Sequence, residues 1–184
     1  VLTEIKSLLS SNHKLSATIS GGGIGFFSKL LVHGGGSALL VRGHIPYGTS
    51  TLHTAAAPWQ HGQGAVSQRT AENVTINLEQ TSHWLDPNER VNHVSLCCTA
   101  TMKSERERQG REHRAWISLR GDKKPNKSLK ISLSHYLTRE EQEDLLSELL
   151  LKLLAEYVGV SSEGNALVEA KKQDSNIVEH KSLE

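Results

Sequence analysis

Aromatic residues make up only 4% of the 184 residues, so the flat side chains on which single-stranded nucleic acids stack are scarce and a nucleic-acid partner is not expected. No apolar stretch approaches the roughly 18 uninterrupted residues of a membrane helix. The N-terminus also lacks the basic, apolar and small-residue succession of a secretory signal. The expectation is a cytoplasmic chain with no membrane partner. Neither sign of charge is in excess: 21 Lys and Arg stand against 20 Asp and Glu, a balance ordinary for a globular protein. Cysteine is limited to Cys97 and Cys98, and neighbours on a strand point to opposite faces, so the two cannot readily bridge each other. They read as buried thiols, since no adjacent base marks either as reactive. Ten histidines are present, but none stands at His-Glu-x-x-His or zinc-finger spacing. No metal and no cofactor is expected.

A chain of this length can bury a substantial core as one domain. Residues 3–9 have the apolar spacing of a short helix, and residues 15–19 read as a strand running into Ser20-Gly21-Gly22-Gly23. Beyond that turn, Ile24, Phe27, Leu30 and Leu31 recur at helical spacing. Residues 37–45 read as a second strand, closed by Pro46 and Gly48, and residues 49–57 as a short helix or loop. Ser67 is placed to cap a helix over residues 68–78. Residues 91–100, 114–119 and 129–133 read as consecutive strands. Thr138-Arg139-Glu140-Glu141 then opens the strongest helix, with a capping-box pattern and Leu145, Leu146, Leu149, Leu150, Leu153 and Leu154 on a broad apolar face. That face is either core or, where left uncovered, a homo-oligomer surface. Strands separated by helices, followed by clustered strands and a last helix, predict an α/β fold: three layers, α/β/α, around a mixed sheet. Residues 1–160 are expected to form this domain and residues 161–184 a flexible charged tail.

Two glycine runs could bring backbone amides close to an anion: Gly21 to Gly23, ahead of a helix, and Gly34 to Gly36. Neither is a dinucleotide fingerprint or a Walker loop, and by spacing alone both read as tight turns. His33-Gly34-Gly35-Gly36 imitates an esterase oxyanion loop, yet no Gly-x-Ser-x-Gly elbow supplies a nucleophile. Residues 101–130 hold ten Lys or Arg against four Asp or Glu. The cations alternate with Glu105, Glu107 and Glu112, as expected of a solvated hairpin loop.

Taken together, Gly35-x-Ser37, Gly43, Tyr47 and the later Gly64-Ala65-Val66-Ser67 resemble the spaced signature of the CinA C-terminal domain, the family of nicotinamide mononucleotide deamidases. In that family a Glu-Ser-Cys-Thr-Gly-Gly turn opens the first long helix, a Gly-x-Ser begins the next strand and a Tyr-Ser-Asn-x-x-Lys segment follows. The corresponding segments here are Thr18-Ile19-Ser20-Gly21-Gly22-Gly23, Gly35-Gly36-Ser37 and Tyr47-Gly48-Thr49-Ser50-Thr51-Leu52. The resemblance covers about residues 14–157. It implies an amidohydrolase that releases ammonia from a nucleotide amide, with Ser37 as nucleophile and Tyr47 shaping the pocket. Ser20, Gly21, Gly22 and Gly23 would hold the phosphate.

Three departures fall on the implied pocket. The family's lysine base, which works because burial lowers its pKa, is replaced by Leu52, and the glutamate of the turn by Thr18. The family's Gly-x-Ala-Gly-Pro loop is replaced by Thr99-Ala100-Thr101-Met102-Lys103. Two readings follow. One is an amidohydrolase whose base comes from elsewhere, with His44 and His53 as candidates. The other is a catalytically silent relative that keeps a pocket for a nucleotide-like ligand or serves in protein interaction or oligomerisation.

Overall fold

The computed structural model describes residues 1–88, 90–105 and 110–183. The centre of the charged loop, residues 106–109, lies outside them. Among the described residues the order is α1 (Leu2–Leu9), β1 (His13–Ser20), α2 (Gly25–Leu31), α3 (Gly36–Leu39), β2 (Leu40–His44), α4 (Thr49–Ala55), α5 (Gln68–Leu85), β3 (Asn92–Thr101), β4 (Arg114–Gly121), β5 (Lys124–Ser132), α6 (Arg139–Val158), α7 (Asn165–Lys172) and β6 (Asn176–His180). The strands form one sheet in the order β2-β1-β3-β4-β5-β6. β1 is parallel to both β2 and β3, and the remaining neighbours are antiparallel. This is the mixed sheet expected. Among the described residues no helix is long and apolar enough to cross a membrane.

The strands alternate, and the two faces of the sheet differ sharply in chemistry. Leu15, Ala17 and Ile19 of β1, Leu96 and Cys98 of β3, Ile117 and Leu119 of β4, and Ile131 of β5 all join the main aliphatic core with α6. The opposite side of the same strands carries Ser16, Thr18, Ser95, Thr99, Ser118 and Ser128, all buried. There α5 packs Ala71, Val74 and Leu78 with Cys97 in a smaller cluster. Hydroxyls bridge this second layer: Ser82 Oγ donates to Ser16 Oγ at 3.0 Å, and Thr75 Oγ1 and Ser118 Oγ share a hydrogen bond of 2.8 Å. Cys97 and Cys98 thus fall on opposite faces, both reduced and buried, and burial raises both thiol pKa values.

Helix α6 starts where the sequence indicates, with Thr138 and Glu141 forming the reciprocal capping box. All six leucines of its apolar face are buried. α1, α2 and α7 contribute Ile5, Leu8, Phe26, Leu30, Ala166 and Ala170 to the core around it, so that face is core and not an association surface. Ser67 likewise caps α5, accepting from the Thr70 amide.

Two expectations are corrected. Residues 37–39, read as the start of a strand, belong to the short helix α3, which leaves β2 only five residues long. Residues 161–184, expected as a flexible tail, contain α7 and the edge strand β6, which pairs antiparallel with β5. An edge strand needs little apolar surface: Ile177 alone of β6 packs on the core. The two alanines of α7 give too small a hydrophobic signal to announce a helix.

His93 lies at the start of β3, 3% exposed, with neither ring nitrogen partnered. Burial, reinforced by the nearby His83, holds its pKa below the ordinary 6.5, and burial does the same at His13. The unfolded chain therefore binds more protons than the folded one between those lowered values and 6.5, and stability falls as pH drops through that window. Glu112, paired with Lys130 at 2.6 Å, is held below its ordinary 4.5, so its contribution is lost only in stronger acid. Urea unfolding should accordingly show a lower midpoint at pH 5.5 than at pH 7.5, and His93→Gln should flatten that slope. Equal midpoints at the two pH values would contradict this assignment.

Candidate functional site

The parallel strands β1 and β3 end side by side, β1 at the glycine turn and β3 in residues 102–105, and ligands of open α/β sheets bind outside such carboxyl ends. A pocket of about 240 Å³ opens there, lined by Ser20, Gly21, Tyr47, Ala100, Thr101, Met102, Ser104, Arg111 and Arg139. The segment after β3 is fixed by Gln142 of α6, fully buried, whose Oε1 accepts from the Lys103 amide at 2.8 Å. Its Nε2 donates to the Ser134 carbonyl at 2.9 Å and contacts His113 Nδ1 at the same distance. Arg139, the first residue of α6, reaches back to donate to the Lys103 carbonyl at 2.9 Å. Among the described residues neither Arg111 nor Arg139 has a carboxylate partner. The mouth of the pocket therefore carries two positive charges with no ion-pair partner among the described residues.

The glycine turn divides between two tasks. Gly21 has φ +82°, and a Cβ there would collide with the Ala100 carbonyl oxygen, so only glycine lets β1 close onto β3 at this point. Met102 packs over Gly22, with its sulfur 2.6 Å from where a Cβ would stand. The Gly23 and Gly25 amides donate to the Glu143 carboxylate, at 2.7 Å to Oε2 and 2.9 Å to Oε1. Of the four residues expected to hold a phosphate, Ser20 and Gly21 line the pocket. Gly22 and Gly23 face the protein's own methionine and carboxylate.

Ser37 lies elsewhere. It sits on α3 ahead of β2, and its carbonyl accepts from Lys14 Nζ at 3.4 Å, near the start of β1. Lys14 and Ser20 stand six positions apart along β1, roughly 20 Å at ~3.3 Å per strand residue. Ser37 and Tyr47 are thus at opposite ends of the parallel strands. Tyr47 is at the pocket mouth, 67% exposed. Ser20 spends its hydroxyl proton on the Pro46 carbonyl at 2.9 Å. Leu52, at the position the family gives to lysine, is buried. His53 stacks on Trp59 with ring centroids 3.8 Å apart, and His44 lines a different cavity. Neither histidine lines the pocket with Ser20. Among the described residues no cluster of His, Cys, Asp or Glu could hold a metal ion.

Sequence reasoning did not find Arg111, Arg139 or Glu143. Their signal is spatial: Arg139 and Glu143 come to the turn only because α6 packs beside α2, an approach reinforced by ion pairs from Lys29 to Asp144 and Glu148. Replacing Glu143 with glutamine removes the charge from two hydrogen bonds that hold the turn, and bonds to charged groups contribute about 2 kcal/mol. Glu143→Gln should lower stability by about that amount and speed hydrogen exchange at the Gly23 and Gly25 amides. Unchanged exchange at both amides would contradict the role given to Glu143.

No protein-family model matches the sequence, and no curated protein matches it. In three dimensions the chain is similar to a CinA superfamily protein from Klebsiella pneumoniae, with a TM-score of 0.64 and 11% identity over 86% of this chain and 96% of that one. A CinA superfamily protein from Enterobacter cloacae superposes with a TM-score of 0.65 and 13% identity, covering 84% and 89%. A competence/damage-inducible protein from Agrobacterium tumefaciens gives 0.61 and 15%, covering 82% and 89%. At such identities the likeness is one of architecture, and the architecture agrees with the resemblance read from the glycine and strand pattern: this chain has the fold of the CinA superfamily.

Proposed function

We propose that this chain binds a small phosphorylated, nucleotide-like ligand in the pocket at the carboxyl ends of β1 and β3 and does not hydrolyse an amide there. The observation that carries the reading is the pair Arg111 and Arg139, both on the pocket and both without a carboxylate partner among the described residues. Guanidinium groups are suited to phosphate oxygens because their N–H donors form a planar fork. The hydroxyls of Tyr47 and Thr101 add neutral polar groups to the same lining.

Amide hydrolysis needs a nucleophile with a base in reach. Two serines line the pocket: Ser20 directs its proton at a backbone carbonyl, and among the described residues no histidine, lysine or carboxylate lines the pocket to act as base for Ser104. Ser37 stands at the far end of β1, and the lysine position is a buried leucine. These features support binding without turnover.

Calorimetric titration with nicotinamide mononucleotide and with nicotinamide riboside, which lacks the phosphate, tests the reading. The nucleotide should bind at least tenfold more tightly than the riboside, since a charge-assisted phosphate contact contributes about 1.5–3 kcal/mol. Arg111→Gln and Arg139→Gln should each remove most of that difference. Equal affinity for the two compounds, or no binding of either, would overturn it.

A further inference from the structure

A second, larger cavity of about 350 Å³ lies on the hydroxyl-bearing face of the sheet, between β1, β2, α4 and α5, and shares no residue with the pocket at the strand ends. Its existence follows from the register of the edge pair. Arg42 of β2 stands beside Ser16 and His44 beside Thr18, so Arg42 and Thr18 both reach the space under α5.

The donors in this cavity are unevenly spent. Thr51 and Thr54 give their hydroxyl protons to the Gly48 and Ser50 carbonyls, and the Asn77 amide gives both of its own to Ala55 and Ala57. Arg42 donates one bond, from Nη2 to Thr81 Oγ1 at 2.8 Å. Its Nε is buried without an acceptor, and so is the hydroxyl of Thr18, a residue 1% exposed. Among the described residues no carboxylate lines the cavity and Arg42 forms no ion pair. A half-buried guanidinium with its Nε buried, beside an unpartnered hydroxyl and with no described carboxylate facing either, calls for an anionic acceptor. Apart from the His44 ring, the rest of the wall is apolar, formed by Ala55, Val74 and Leu78. Inorganic phosphate would leave that wall uncovered.

We infer that this cavity binds a small organic carboxylate, its oxygens on the Arg42 fork and the Thr18 hydroxyl and its apolar body against Val74 and Leu78. The volume is at the lower end of small-molecule sites, which limits the ligand to about one ring or a short branched chain. Bidentate recognition by arginine supplies the orientation. This inference stands independently of the ligand proposed for the pocket at Arg111 and Arg139.

Benzoate is the probe, with benzamide as its uncharged counterpart of the same shape, and binding to the full chain is followed by calorimetry and by amide NMR. Benzoate should bind saturably, at least tenfold more tightly than benzamide, and should shift the Val74, Asn77 and Thr81 resonances while leaving Gly21 and Met102 in place. Arg42→Gln should weaken benzoate at least tenfold. Should that variant fail to fold, the benzoate–benzamide ratio and the shift map on the unaltered chain decide the matter alone. No saturable benzoate binding, equal affinity for benzamide, shifts centred on Gly21 and Met102, or an Arg42→Gln variant that folds and binds benzoate unchanged would each overturn the inference. Tighter binding of inorganic phosphate than of benzoate would overturn the assignment to an organic carboxylate.

Discussion

The contact between Glu143 and the amides of Gly23 and Gly25 governs what the rest of this structure can do. Backbone N–H groups at a glycine turn before a helix form a ready anion site. Here the anion is a side chain of the same protein, delivered by the longest helix in the fold. The bond joins the loop after β1 to α6, and α6 in turn fixes the segment after β3 through Gln142. Both walls of the strand-end pocket are therefore referred to one helix. The turn shapes the pocket through Gly21, while the amides of Gly23 and Gly25 are committed elsewhere.

The asymmetry of the sheet explains where open space remains. On the α6 face, aliphatic side chains from four strands interdigitate with leucines, and apolar layers of this kind pack to near-crystalline density. On the α5 face, small hydroxyl side chains must each find a partner. Ser16 and Ser118 find theirs on α5 itself. Ser128 donates to the buried Glu72, which also accepts from the Leu183 amide and so ties the chain end to α5. Thr99 of β3 and Thr18 of β1 find none, and at Thr18, where α5 gives way to the smaller α4 near the β1–β2 edge, the cavity beside Arg42 opens. Helix coverage and polar satisfaction are thus two aspects of one packing problem.

Local chemistry was the part legible from residues alone. The Ser67 cap, the Thr138–Glu141 box and the opposed faces of Cys97 and Cys98 each depend on neighbours within a few positions, and each is found where the pattern places it. The glycine and strand order also sufficed for the architecture. Ser37 shows where such reading stops: its Gly-x-Ser context resembles a catalytic element, but α3 leaves it at the amino end of β2, away from Tyr47. The arginines were opaque for a related reason. Arg42 looks like any strand residue and Arg111 like part of a solvated loop. Their significance is the absence of facing carboxylates among the described residues, a property of three-dimensional neighbours that no spacing encodes.

A fold can persist after its chemistry has gone, because glycines and apolar strands are held by packing and catalytic groups are not. The most direct measurement of that separation is ammonia release from nicotinamide mononucleotide by the purified chain at saturating substrate, beside Ser20→Ala and Ser37→Ala variants. The account expects all three proteins to remain at the buffer background. Release by the unaltered chain that disappears with either serine would contradict it.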